Sequence, residues 1–320
     1  MAIYTKLDKE KINSILLNYN LGNLKKFEGI KEGIENTNYS IETDKGKYIL
    51  TIYEKRVNKH DLPFFSELML GLSNKSFICP KPIPNKNSVY ISDFQNKKFM
   101  IVSFLEGKAK KNLSPSDCKI AGRESARLHE ITKKFDFKRQ NDLSVKSWRK
   151  IFDQVKNECN KIHSDLPRLI EANLTDVEKN WPNNLPAGII HADLFNDNIF
   201  FKNNKFSGFI DFYFSCNDFY AYEIAICLNA WCFEDSNNEF NPTKAKYLLG
   251  SYNQERKFSN EEVEALPLLA RASALRYLLT RLLDFYSHED SDLILKKDPN
   301  EYISKLRFHQ SVRKASEYGL

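Results

Sequence analysis

None of the six cysteines (Cys79, Cys118, Cys159, Cys216, Cys227 and Cys232) stands in a C-x-x-C pair, and their spacing fits no disulfide framework. A disulfide-stapled domain and a paired-cysteine redox or zinc motif are thereby excluded. Cys216, Cys227 and Cys232 sit among apolar residues and read as small buried hydrophobes. The opening stretch MAIYTKLDKE lacks the apolar core of a signal peptide, and no run approaches the ~20 residues of a membrane span. A cytoplasmic protein with no membrane partner is the expectation. Lysine runs such as KKNLSPSDCK have no interleaved aromatics and match no nucleic-acid motif. The net charge of +6 therefore reads as a solvated basic surface, with no nucleic-acid partner. A mildly positive cleft would still suit an anionic ligand such as a nucleotide. No internal repeat or low-complexity segment is present.

What remains is ordinary globular material. The chain has 320 residues, 42% hydrophobic and 28% charged, enough for one large or two smaller cores. Residues 8 to 19 predict a short amphipathic helix. After it, alternation sets in, DKGK (44 to 47) makes a tight turn, and Tyr48, Leu50 and Ile52 share one face of a strand. Helical spacing takes over in DLPFFSELMLGLS, where Phe64, Leu68 and Leu72 line one face. Two more strands, SVYISDF and KKFMIVSFLEG, complete a β-β-α-β-β unit.

Beyond Gly107 the character is helical, with Ser114 as N-cap and Pro115 in the first turn. Residues 147 to 180 read as polar, peripheral helix. From about 219 to the end the chain is helical again, with a Ser259–Glu262 capping box opening a long apolar segment. The expected fold class is α+β in two lobes: residues 1 to 103 a sheet-rich lobe, and residues 104 to 320 a helical one. SFLEGK, residues 103 to 108, is the joint.

One stretch interrupts the helices. GIIHADLFNDNIFF, residues 188 to 201, puts His191, Asp193, Asn196, Asp197 and Asn198 between two apolar strands. Turn chemistry needs one or two such residues; a rigidly mounted catalytic or metal site needs more. Asp211 in IDF follows Asp193 by eighteen residues, a gap that fits a hairpin. One carboxylate is then free for a proton, while the Asn198 amide and the Asp211 carboxylate offer oxygens to a hard cation such as Mg²⁺. H-x-D-x-x-x-x-N followed by D-F at a strand end is the spacing of kinase catalytic and metal-binding loops.

On these residues the chain resembles the aminoglycoside-phosphotransferase and choline-kinase branch of the protein-kinase-like fold, and within it the homoserine kinases. GIKEGIENTNYSI, HADLFNDNIFF, GFIDFYFSCNDFYAYEIAICLNAWCFE and RYLLTRLLDFY carry the likeness. The resemblance implies ATP and Mg²⁺ as cofactors, L-homoserine as the small-molecule substrate, and a monomer or homodimer. It implies Asp193 as catalytic base, Asn198 and Asp211 as metal ligands, and His191 as a structural support. Glu223 falls where relatives commonly have an aspartate that anchors the catalytic loop. Gly29, Gly33, Asn36 and Asn38 match the phosphate-covering loop, and Phe104 and Leu105 the adenine edge.

One position departs from the protein-kinase pattern. Thr51 stands where those enzymes have a strand lysine that grips the phosphates. Glu67 remains as a helix glutamate without that partner, Lys55 lying beyond the expected place. For the acceptor's carboxylate a guanidinium is needed, since its fork pairs both oxygens. Arg271, Arg276 and Arg281 fall five apart, about 140° around a helix, so they cannot all share one face. Arg276 and Arg281 are the candidates, with Asp218 for the ammonium. The competing readings are another phosphotransferase of the branch, acting on an aminoglycoside, choline, methylthioribose or a sugar, and a nucleotide-binding pseudoenzyme. Retention of Asp193, Asn198 and Asp211 together speaks against the last.

Overall fold

The computed structural model describes residues 3–31, 36–54, 57–286 and 297–320. Its described residues fall into two compact units. The first takes in the chain up to Lys108 together with Phe200–Tyr213; the second takes in Ala109–Ile199, the chain from Phe214 to 286, and 297 to 320.

In the first unit Asp8 caps α1 (Lys9–Leu16), its carboxylate accepting the Lys11 N–H at 2.8 Å. Strands β1 (Leu24–Ile30), β2 (Thr37–Thr43), β3 (Lys47–Ile52), β4 (Ile91–Phe94) and β5 (Lys97–Ser103) make one antiparallel sheet in the order β1-β2-β3-β5-β4. Tyr39 and Ile41, Leu50 and Ile52, Phe99 and Ile101 repeat at period two. They pack with Ile12, Ile15 and Leu16 of α1 into one apolar cluster. Helix α2 (Leu62–Asn74) follows β3 and buries Phe64, Leu68 and Leu72 as the spacing requires. The strand missed by the sequence is β1. It is an edge strand, and Lys25, Lys26 and Glu28 lie exposed, so it has little hydrophobic alternation to betray it.

The expected linear division at residue 103 also needs correction. Strands β7 (Ile199–Lys202) and β8 (Lys205–Phe209) form a hairpin whose turn residues Asn203 and Asn204 sit at φ +51° and +58°, the left-handed backbone of a tight hairpin turn. Phe201 exchanges both backbone bonds with Lys108 (3.1 and 2.9 Å), and the Phe209 N–H reaches the Ile78 carbonyl at 3.1 Å. Those bonds tie a segment from the middle of the chain to the part that ends at Lys108.

The second unit is helical. Helix α3 (Pro115–Thr132) opens with a capping box in which Ser114 and Asp117 satisfy each other's backbone N–H. α4 (Val145–Cys159) and α5 (Leu166–Asn180) follow, then the short strand β6 (Ala187–Ile190) paired antiparallel with β9 (Cys216–Phe219). α6 (Tyr220–Trp231), α7 (Pro242–Glu255), α8 (Asn260–Tyr286) and α9 (Asn300–Ser311) complete it. The expectation of a peripheral helix at 147 to 180 is not met. Trp148, Ile151, Phe152, Val155 and Cys159 form a buried stripe on α4, which packs on α8. A stripe of five in fifteen residues is hidden in the average polarity of the segment.

Helix α3 lies close against α7, and a Cβ at Gly122 would run into the Leu248 carbonyl. Gly122→Ala should therefore cost about 1–3 kcal/mol by overpacking, or roughly 3–10 °C in Tm. Gly250, also helical, has open space around it, and Gly250→Ala should leave Tm unchanged or raise it. Thermal melts followed by circular dichroism compare the two; equal effects would sink the packing argument.

Candidate active site

The polar loop after β6 is held from below by one side chain. Glu223, fully buried in the first turn of α6, accepts the backbone N–H groups of His191 and, at 3.0 Å, of Ala192 on the same oxygen. Ala192 has φ +64°, a left-handed conformation that costs an L residue about 1–2 kcal/mol. The conformation turns consecutive N–H groups toward Glu223. The resemblance puts an anchor at this position, and the longer glutamate reaches the loop. His191 is buried, and its carbonyl takes a long bond (3.5 Å) from the Ser215 hydroxyl. Further along, the Trp231 indole N–H donates to the Leu194 carbonyl at 2.8 Å.

Asp193 emerges from this mount between two donors. The Asn198 amide nitrogen reaches its carbonyl at 2.8 Å and its Oδ2 at 3.1 Å, and the Tyr277 hydroxyl lies 3.1 Å from the Ala192 carbonyl and 3.3 Å from Asp193 Oδ1. Burial pushes the Asp193 carboxyl above its ordinary value, while the Arg276 guanidinium and, more weakly, Lys297 pull it down. With its nitrogen turned to Asp193, Asn198 keeps its amide oxygen for a cation, the donor type Mg²⁺ takes.

The three arginines of α8 part company. Arg271 pairs with Asp176 of α5. Arg281 donates to Glu301 at 2.6 Å and to the Asp298 carbonyl at 2.8 Å. Its charge is neutralised locally, which argues against the substrate role expected of it. Arg276 is different: only 5% exposed, it lies 4.0 Å over the Tyr277 ring, and its Nη1 has no hydrogen-bond partner among the described residues. Asp218 is pushed upward by burial; its Oδ2 takes the Asn141 amide at 2.6 Å and its Oδ1 the Phe219 N–H at 2.8 Å. Tyr277 was not anticipated from the sequence, although a tyrosine directly after Arg276 on an apolar helix was the available signal.

The candidates on the nucleotide side belong to the sheet-rich unit. Gly29 is not in a loop. It lies inside β1 opposite Tyr39, and the Ile3 side chain fills the space a Cβ would need, so packing accounts for its small size. Gly33 and Lys55 lie outside the described residues. Asn36 accepts the Glu54 N–H at 3.3 Å, and Asn38 accepts the Thr51 hydroxyl at 2.7 Å. Both amide oxygens thus serve the sheet. The Phe104 N–H donates to the Lys47 carbonyl at 3.2 Å, so it is not available to a base, and the adenine-edge expectation narrows to the Phe104 carbonyl and Leu105. Asp211 stands at φ +63° after β8, with the phenols of Tyr53 and Tyr213 among its electrostatic neighbours. The rings of Tyr53 and Tyr213 meet edge to face at 5.2 Å, and burial pushes the Tyr213 hydroxyl up to about 12. Where a kinase lysine would project, β3 presents Thr51 and, next on the same face, Tyr53. Glu67 is exposed.

A model of the phosphotransferase enzyme family matches residues 26–258. The chain belongs to the phosphotransferase enzyme family. Curated relatives named homoserine kinase match it end to end: that of Mesorhizobium japonicum is 45% identical over all of both chains, and that of Nitrobacter hamburgensis 46% identical over all of this chain and 98% of its own. Among solved structures, an amicoumacin kinase in complex with AMP-PNP and Ca²⁺ superposes with a TM-score of 0.70 at 14% identity, covering 95% of this chain and 92% of its own. A microcompartment-associated aminopropanol kinase gives 0.66 at 16% identity, with 98% and 99% covered. The fold is thus the protein-kinase-like α+β fold of small-molecule kinases, and the family's use of ATP follows with it.

Glu223 carries a pH signature. Burial raises its carboxyl to about 7, against the two N–H groups that lower it, whereas an unfolded glutamate ionises near ~4.3. Between those values the folded chain holds the extra proton, so stability falls as pH rises through that window. Glu223→Gln keeps an acceptor oxygen and should flatten the fall of Tm between about pH 5 and 7. Tm against pH for both proteins is the check; an unchanged slope would mean another group titrates there.

Proposed function

We propose that this enzyme transfers the γ-phosphoryl group of ATP to the side-chain hydroxyl of L-homoserine, in the cytoplasm, as a monomer or homodimer. The observation that carries the reading is Arg276: a buried guanidinium with an unpartnered Nη1 whose charge acts on Asp193. Homoserine is a zwitterion with a hydroxyl two carbons from its α-carbon. It needs a cation for its carboxylate and, a short distance away, a carboxylate for its hydroxyl proton. Full-length relatives named homoserine kinase support the same acceptor.

In this reading Asp193 orients the hydroxyl and takes its proton as the O–P bond forms and the bond to the departing ADP breaks. Tyr277 and Asn198 hold the carboxylate in place, which is where most of the rate comes from when phosphoryl transfer depends on positioning. Arg276 and Lys297 offset part of the rise in proton affinity that burial causes. Asn198 and Asp211 are the candidate magnesium ligands on the spacing of the motif, and a bound Mg²⁺ would neutralise charge on the phosphates. Asp218 is the candidate for the ammonium.

A cationic acceptor such as choline or an aminoglycoside would be repelled by a buried guanidinium beside the catalytic carboxylate, so those rivals fit less well.

ADP release measured with homoserine, serine, threonine, choline and kanamycin should single out homoserine. Choline or kanamycin as the preferred acceptor would overturn the proposal. Asp193→Asn should lower kcat by about 10²–10⁴ while leaving nucleotide binding near normal. Arg276→Ala should raise the homoserine KM about tenfold or more, since a charge-assisted bond contributes ~1.5–3 kcal/mol, with the ATP KM nearly unmoved. A homoserine methyl ester used as well as homoserine would remove Arg276 from carboxylate binding.

A further inference from the structure

Tyr222, in the first turn of α6, is 2% exposed, and its hydroxyl has no hydrogen-bond partner among the described residues. Buried hydroxyls are paired as a rule, so an orphan calls for an explanation. The ring is fixed from the side by Trp181, edge to face at 5.7 Å and 75°. The strongest charge acting on the phenol is Arg276, followed by Asp218. Burial keeps the phenol protonated and hence a donor.

Arg276 offers the second orphan, its Nη1. It comes from α8, the helix on which α6 packs. Two buried donors without partners among the described residues, one neutral and one cationic, therefore belong to two helices that pack on each other. What both lack is an acceptor with more than one oxygen and a negative charge. Asp218 contributes the opposite character. Each of its oxygens takes one protein donor, and a carboxylate has about four acceptor positions, so capacity remains. Two donors and an acid complement the carboxylate and ammonium of an α-amino acid.

We propose that the Tyr222 hydroxyl and Arg276 Nη1 together form a two-point receptor for the acceptor's α-carboxylate, making Tyr222 the residue that selects an amino acid over an amino alcohol. The receptor rests on the homoserine reading for its acceptor, and Tyr222 has no part in the proton transfer at Asp193.

The test uses Tyr222→Phe on the full-length enzyme, with homoserine and with 3-aminopropan-1-ol, which is homoserine without its carboxylate. The homoserine KM should rise about five- to tenfold, as for loss of one hydrogen bond to a charged group, with kcat within about twofold and the ATP KM unchanged. Turnover of 3-aminopropan-1-ol should not change, so the preference for the amino acid shrinks by the same factor. Tm of the ligand-free variant should stay level or rise, because the hydroxyl lost has no partner in the fold. An unchanged homoserine KM, or equal losses on both acceptors, overturns the receptor; so does a fall in Tm, which would reveal a structural partner. Failure of the homoserine reading looks different, because the wild-type enzyme would then prefer another acceptor. If that acceptor is serine or threonine and its KM still rises in Tyr222→Phe, the receptor stands. If it carries no carboxylate, the receptor falls too.

Discussion

One oxygen of Glu223 receives two consecutive backbone N–H groups, and the polar loop that carries Asp193 hangs from that contact. The contact helps offset the cost of the left-handed conformation of Ala192, and the residue after Ala192 is Asp193. The remaining supports are secondary to it. Tyr277 bridges the Ala192 carbonyl and Asp193, Asn198 folds back on Asp193 from five residues ahead, and Trp231 pins the Leu194 carbonyl. A carboxylate buried this deeply resists ionisation, yet the two N–H groups favour its charged form. That competition puts Glu223 near neutrality rather than in the usual carboxylate range.

Charge on α8 is sorted by the same logic. A buried guanidinium is costly unless it is paired. Arg271 has Asp176 and Arg281 has Glu301, and both serve to fasten helices to one another. Arg276 keeps an Nη1 without a partner among the described residues, and of the three it is the one whose field reaches Asp193. Its stacking on Tyr277 offers partial compensation through the ring face. The helix thus uses one residue type for two purposes, distinguished by whether an acid of the same unit lies within reach.

The sheet-rich unit departs furthest from the protein-kinase scheme. β3 carries no cation at the position where one is expected; Thr51 bonds Asn38, and Tyr53 packs against Tyr213 and, through it, Phe65. Neutral hydroxyls and rings occupy the place of a lysine–glutamate couple. Lys97, which does pair with an acid, pairs with Glu54 and the Thr5 hydroxyl at the start of β5.

Periodicity and spacing made much of this legible. The period-two alternation of Leu50 and Ile52, the helical spacing of Phe64, Leu68 and Leu72, and the Ser114 and Ser259 caps are local properties, written into neighbouring residues. The H-x-D-x-x-x-x-N loop was legible for the same reason. The edge strand β1 and the buried stripe of α4 were not, because exposed or mixed side chains mask the pattern. Gly29 was misread because a glycine required by a distant side chain, Ile3, looks in sequence like a glycine required by a turn. Which arginine of α8 stays unpaired depends on Asp176 and Glu301, which approach from α5 and α9. The meaning of Tyr222 depends on Arg276, fifty-four positions later in the chain. Residue types and local periods fix which groups are present and which elements carry them. Only the packing of helices remote in sequence decides which of those groups find partners inside the protein and which are left for a ligand.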